Sequence, residues 1–284
     1  VTDAALLSSL NVSMVTIATP TPSHAELAIS MMHEGLDVLV EKPLAMNIKE
    51  AVKIKTVAEE TGRLLLVGHV FRHHAGVRKA AEMIRDGKLG PVRHIVSERL
   101  AVREPREDIG VIAALGIHDL DICTDILGGI RPVTMQGMAS ESEIKGIEDH
   151  ADLLLEFPAG LNGEVGAMAS IHLSWRSRIR GKVRSLEVVG RDGSLYVDYM
   201  DHSGIWFYSH PGNAHGAEFG GFGSAPRERI EIAISEPALT AELRDFILRS
   251  KGERNGITLN GVDVGIEGMR LVEDALRVTG FLLD

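Results

Sequence analysis

The 284-residue sequence holds one cysteine, Cys123, and that scarcity excludes an internal disulfide and any cysteine-rich zinc site. A reducing compartment fits it, and a buried helix position is the expected place of the thiol. Long apolar runs are missing too. Apolar runs such as Leu64 to Val67 and Val38 to Val40 are far short of the roughly 20 residues that span a bilayer. No stretch resembles a signal peptide, so a cytoplasmic location is expected and a membrane partner is not. Positive charge is in deficit, with a net charge of −10, which argues against nucleic acid as a partner. No internal repeat occurs, and no Gly-x-Ser-x-Gly elbow supports acyl-enzyme chemistry.

What is present is the composition of a globular protein, 44% hydrophobic and 25% charged, long enough for one large domain or two ordinary ones. The first third alternates short apolar strands with helical patterns, as a parallel sheet with crossover helices does. Strands are expected at Met14 to Ala18, Asp37 to Glu41 and Leu64 to Gly68. Thr21 and Pro22 read as cap and first position of a helix running to Glu34 and Gly35. Asn47 with Glu50 resembles a capping box for a helix ending near Gly62. This is half of a doubly wound fold.

From Ala75 the pattern changes to a helix, a strand from Val92 to Leu100, and a helix over Val111 to Leu127. Strands then dominate. Asp152 to Phe157 and Gly163 to Ser170 flank a turn beginning Pro158-Ala159-Gly160, and Ser185 to Val189 and Ser194 to Tyr199 flank Arg191-Asp192-Gly193. Both read as antiparallel hairpins of an open sheet. Gly212 to Gly223 reads as a mobile loop, and helices near Leu239 to Ser250 and Val262 to Thr279 close the chain.

In a parallel sheet, ligands bind outside the carboxyl ends of the strands. Thr19-Pro20, Glu41-Lys42-Pro43 and His69 with Arg72 follow the three expected strands, so polar residues converge on one edge. Taken singly, each has an ordinary reading, since a Lys before a Pro is commonly just solvated. His118, within the largely apolar stretch Ile112 to Ile122, is either a core histidine or a proton-transfer group. His118 with Asp121, and His69 with His73 and His74, could ligate a metal, but neither grouping has a diagnostic spacing, so no metal is expected. Arg176, Arg178, Arg180, Lys182 and Arg184 form a basic run that is either a solvated strand and turn or a seat for an anionic group on a small ligand.

Thr-Ile-Ala-Thr-Pro-Thr-Pro-Ser-His from Thr16, Val-Leu-Val-Glu-Lys-Pro-Leu-Ala from Val38 and Val-Gly-His-Val-Phe-Arg from Val67 strongly resemble the glucose-fructose oxidoreductase, inositol dehydrogenase and rhizopine catabolism (Gfo/Idh/MocA) family. Asp-Gly-Lys-Leu-Gly-Pro-Val from Asp86 and Glu236-Pro237 add to it. The resemblance implies an α/β plus α+β protein. A partial Rossmann doubly wound parallel sheet over 1–72 would be followed, over 73–284, by a substrate-binding and oligomerisation domain with an open, mostly antiparallel sheet. It also implies hydride transfer between a sugar and NAD or NADP, in a homo-oligomer, dimer or tetramer. Lys42 and His118 would be the catalytic pair, Lys42 on the reacting oxygen and His118 as general acid or base. Thr19, Pro20, His24, Glu41, Lys42 and Pro43 would hold the cofactor. His69, Arg72, Asp121, Trp175, Lys182 and Arg184 would contact substrate. The segments from Glu104, Ile117 and Ser174 are similar to the family branch containing UDP-N-acetylglucosamine 3-dehydrogenases, whose diphosphate would give the basic run a purpose, although Arg178 stands where that branch usually has Pro.

Two departures qualify this. Ala114 occupies the position, four residues before His118, where the family often has an Asp, leaving Asp121 and Asp108 as possible substitutes. No Gly-x-Gly-x-x-Gly precedes the first strand, so roughly 50 residues of a Rossmann unit would lie before Val1 and the chain reads as N-terminally truncated. Both departures motivate an alternative, a non-catalytic sugar or dinucleotide sensor on the same fold.

Overall fold

The computed structural model describes residues 12–159, 166–210, 227–233, 236–256 and 258–282. The expected loop over Gly212 to Gly223 lies outside them, as do Gly160 and Gly163 of the first hairpin. The chain forms two compact units: Val1–His73 with Ala238–Val272, and His74–Pro237 with Glu273–Asp284. A single cut near residue 72 therefore leaves out a return to the first unit late in the chain.

In the first unit, β1 (Met14–Ile17), β2 (Asp37–Val40) and β3 (Leu65–Val67) form a parallel sheet in the order β1-β2-β3, with Met14 opposite Asp37 and Val38 opposite Leu65. Successive β2 side chains point to opposite faces and all of Val38, Leu39 and Val40 are buried, because the sheet is covered on both sides. Val38 and Val40 join Met31 and Met32 of α1 (His24–His33), Ile54 of α2 (Ile48–Thr61) and Ile266 and Met269 of α6 (Val262–Val278). Leu39 and Leu66 instead meet Phe246 of α5 (Ala238–Ser250).

The capping expectation for α2 is met in altered form. The Glu50 N–H donates to Asn47 Oδ1 at 2.9 Å, while the Glu50 carboxylate accepts from the Asn47 amide at 3.0 Å and from the Met46 N–H at 3.2 Å. Gly62, in the left-handed region at φ 62°, ends the helix. For α1 the expectation fails: a 3-10 turn over Thr21–Ser23 precedes the helix, so Thr21 lies inside that turn, and neither Pro20 nor Ser23 caps through its side chain. The outer edge of β3 is also covered. Leu66 bridges to Gly261, and the Val67 N–H donates to the Asn260 carbonyl at 2.9 Å.

The second unit is built on an eight-stranded sheet in the order β11-β10-β9-β8-β4-β7-β6-β5. Its strands are β4 (Val92–Leu100), β5 (Thr134–Glu141), β6 (Glu148–Glu156), β7 (Met168–Ser174), β8 (Val183–Gly190), β9 (Gly193–Asp198), β10 (Gly204–Ser209) and β11 (Arg227–Glu231). Every pairing is antiparallel except β4 with β7. Among the described residues β7 starts at Met168, opposite Glu156 of β6. Alternation in β6 buries Ala151, Leu153 and Leu155 and leaves Asp152, Leu154 and Glu156 exposed. The buried face receives α3 (Ala75–Arg85) and α4 (Ile117–Ile126). The helix expected from Val111 opens with a π turn over Ile112–Gly116 before α4 begins.

α4 is tied to β4 by charge. Arg99 Nε donates to Asp119 Oδ2 at 2.6 Å and its terminal nitrogen to Oδ1 at 3.0 Å, while Ser97 Oγ donates to Oδ1 at 2.7 Å. The two charged side chains are 1% and 0% exposed. Removing one partner of such a pair strands the other charge away from water. Asp119→Ala is expected to destabilise the protein by about 3–5 kcal/mol, read as a lower denaturant midpoint. A midpoint within error of the parent's would contradict this role for the pair.

Candidate active site

The three parallel strands end on one edge of the first unit. Thr19 and Pro20 after β1 are exposed, and Glu41 and Lys42 after β2 are half-buried. His69 after β3 is buried and Arg72 half-buried. Backbone bonds set this edge: the Glu41 N–H donates to the Ile17 carbonyl at 2.9 Å and the Gly68 N–H to the Val40 carbonyl at 2.7 Å. The Lys42-Pro43 peptide is cis.

His24 is 1% exposed, with Nδ1 at 2.8 Å from the Pro43 carbonyl and Nε2 at 2.8 Å from the Thr19 carbonyl. It joins the ends of β1 and β2 and so shapes the edge. Pro43 is buried as well. Arg72 donates to the Leu259 carbonyl at 3.0 Å, which anchors its guanidinium to the covering segment of β3.

Behind Glu41 lies a buried polar group that sequence reasoning missed. Glu242 of α5 is 1% exposed, and Asn260 is fully buried. The Asn260 amide donates to Glu242 Oε1 at 3.0 Å and to the Val67 carbonyl at 2.8 Å. Gly68 lets Glu41 lie close: a Cβ there would sit 2.9 Å from Glu41 Oε2 and push that carboxylate aside. Burial, and then the nearby Glu41 charge, push the Glu242 carboxyl up to about 8, against the lowering effect of the Asn260 bond. The sequence signal was an acid on the stripe shared with Phe246, one helical turn on.

In the second unit His118 lies in the first turn of α4 and is 7% exposed, directly after the π turn that contains Ala114. Asp121 is 3% exposed. Glu148, also missed, accepts the Ile112 N–H at 2.8 Å and so holds the start of the π turn; burial raises its carboxyl pKa and that hydrogen bond opposes the rise. Cys123 is fully buried, and burial pushes its thiol far up, consistent with an inert core residue.

The basic run is divided. Arg176 pairs with Asp149 at 2.5 Å and with Glu143, and Arg180 grips Glu98 at 2.5 and 3.0 Å. Arg178 and Lys182 are exposed, and Arg184 is half-buried, its guanidinium pKa lowered by burial and by Arg99. Trp175 is fully buried, with the Arg103 guanidinium 5.3 Å from its ring centre, so the indole reads as core. The structure thus gathers Thr19, Pro20, Glu41, Lys42, His69 and Arg72 at one edge, and places His118 and Asp121 together on α4.

Residues 2–69 match the profile described as "Oxidoreductase family, NAD-binding Rossmann fold", which with the parallel sheet and its polar edge makes this an oxidoreductase with an NAD-binding Rossmann domain. Residues 77–196 match the "GFO/IDH/MocA C-terminal domain", and the chain belongs to the Gfo/Idh/MocA oxidoreductase family. It is 28% identical over 268 residues to UDP-N-acetylglucosamine 3-dehydrogenase of Acidithiobacillus ferrooxidans, covering 94% of this chain and 78% of that protein. A solved structure of that dehydrogenase superposes with a TM-score of 0.78 at 25% identity, covering 99% of this chain and 83% of the other. The chain is also 28% identical to scyllo-inositol 2-dehydrogenase (NAD(+)) of Bacillus subtilis over 74% of its length, and 29% identical to 2,7-anhydro-N-acetylneuraminate hydratase of Mediterraneibacter gnavus over 70%. It spans 62% and 54% of those two relatives.

Glu242 gives the first unit a pH signature. Its folded pKa stands above the ordinary carboxylate value, so between about 4.5 and about 8 the folded state holds a proton that the unfolded state has lost. Stability should therefore fall as pH rises through that window, by at most about 1.4 kcal/mol per pH unit from this group. Comparing unfolding free energies at about pH 6 and about pH 9 should show that loss in the parent and a flatter profile in Glu242→Gln. Equal slopes in both proteins would rule out Glu242 as the source.

Proposed function

We propose that this protein is an NAD(P)-dependent sugar oxidoreductase that transfers a hydride between a sugar hydroxyl carbon and nicotinamide, with C3 of UDP-N-acetylglucosamine as the substrate position. The observation that carries the reading is the convergence of Thr19-Pro20, Glu41-Lys42 and His69-Arg72 on the carboxyl edge of one parallel sheet. The extended match to the Acidithiobacillus ferrooxidans dehydrogenase supports the choice of sugar.

The edge suits the nicotinamide end of a dinucleotide: Thr19 and Pro20 are exposed, and His24 holds the carbonyls of Thr19 and Pro43. When bound, the nicotinamide supplies the hydride acceptor. The chain's own part is proton control and positioning. The Lys42 ammonium donates to the reacting oxygen and stabilises the alkoxide as its proton leaves. His118 takes up or returns that proton as general base or acid. Asp121, three residues along α4, orients the sugar, and Arg184 and Lys182 meet the anionic diphosphate. The two units would then serve as dinucleotide-binding and substrate-binding domains, and the family's dimer or tetramer belongs to the same reading.

The test is formation of reduced nicotinamide from UDP-N-acetylglucosamine by the protein. Lys42→Ala and His118→Ala are each expected to lower kcat by about 100-fold or more, with smaller changes in KM. Binding of the sugar nucleotide without turnover would instead identify a sensor. Undiminished turnover in Lys42→Ala would remove that residue from the chemistry.

A further inference from the structure

The sheet of the second unit brings together a group of side chains that no linear spacing reveals. His150 and Asp152 are two residues apart on β6 and so share a face, and Asp152 stands directly opposite His172 on β7. His150 Nε2 lies 3.2 Å from Asp152 Oδ2, and His172 Nδ1 lies 2.5 Å from Asp152 Oδ1. The imidazole centres are 5.1 Å apart with their planes at 78°. One donor atom from each residue falls within 4.8 Å of the other two. We propose that His150, Asp152 and His172 form a Zn2+ site on the solvent side of this sheet.

The donor set selects the ion. Two imidazole nitrogens and one carboxylate oxygen suit Zn2+, whereas Ca2+ and Mg2+ require mostly oxygen ligands. Tetrahedral bonds of about 2.0–2.2 Å hold ligand atoms roughly 3.3–3.5 Å apart. The two imidazole-to-carboxylate distances are already near or below that spacing, so side-chain rotation that draws the imidazoles together completes the cradle. The imidazoles are 36% and 37% exposed and the carboxylate 59%, so a fourth position can be filled by water or an outside ligand. His150 and Asp152 also line a surface groove with Gln136, Met138, Ser140 and Leu154, so the open position faces a recess. Three protein ligands with one open position are the arrangement that keeps zinc accessible to a further ligand.

The test uses untagged protein stripped with chelator and dialysed. Titration with Zn2+ should show one equivalent bound per chain, accompanied by a saturable rise in Tm. Co2+ should give visible d–d absorption of a nitrogen-ligated site at the same stoichiometry. His150→Ala and His172→Ala should each weaken binding at least 10-fold, while His94→Ala, on β4 of the same sheet and 3.2 Å from Ser170 Oγ, should not. The proposal is overturned if the parent binds no stoichiometric Zn2+, or if its affinity survives His172→Ala, or if His94→Ala lowers it equally. The Co2+ spectrum is read on the parent alone, so it decides the question even where a variant folds poorly.

Discussion

A guanidinium and a carboxylate closed off from water, Arg99 and Asp119, fix the second unit, because removing either would strand the other's charge in the interior. Arg99 belongs to the central strand of an eight-stranded sheet and Asp119 to the first turn of α4. Their two parallel hydrogen bonds set the rotation of that helix as well as its position. His118 is the adjacent residue, so the direction in which its imidazole leaves the helix is inherited from the ion pair. Glu148 acts one turn earlier, holding Ile112 at the start of the π turn. The proposed acid-base residue is therefore set between two buried carboxylates, neither of which is asked to touch substrate.

The first unit reaches the same end by different means. The residues proposed to carry its chemistry sit where strands stop, and the stopping points are held by His24 on one side and by Asn260 on the other. Asn260 joins the last residue of β3 to Glu242, and Glu242 lies under the charge of Glu41. A proton on Glu242 therefore relieves repulsion directly beneath the Glu-Lys-Pro element. Local stability and the electrostatic setting of Lys42 become parts of one balance.

How much of this could be read in advance follows from the range of the interactions. The parallel strands, their carboxyl edge and the cap at Asn47 were legible because each rests on residues a few positions apart. α1 deceived, since Thr-Pro-Ser favours a 3-10 turn that the cap rule counts as helix start. The parallel pairing of β4 with β7 was not legible, because alternation reports which face a residue takes and is silent about neighbours. Glu242 with Asn260 and Arg99 with Asp119 share that cause: each partner is ordinary alone, and only folding over 18 or 20 positions makes it a buried pair. The same limit hid His172, separated from Asp152 by a hairpin.

The place of β4 has a consequence for how the protein is made. It is the first strand of its sheet to be synthesised, yet it lies in the middle, flanked by β7 and β8. His94 pairs with Met168 and Val189, so both neighbours come much later in the chain. At a synthesis rate of about 5–20 residues per second, β4 waits for several seconds with both hydrogen-bonding edges open. During that interval a strand with two free edges can pair with whatever strand is nearest, on its own chain or on another. The charged and histidine side chains along β4, Arg93, His94, Glu98 and Arg99, keep it soluble through that wait, and the burial of Arg99 against Asp119 then marks correct closure.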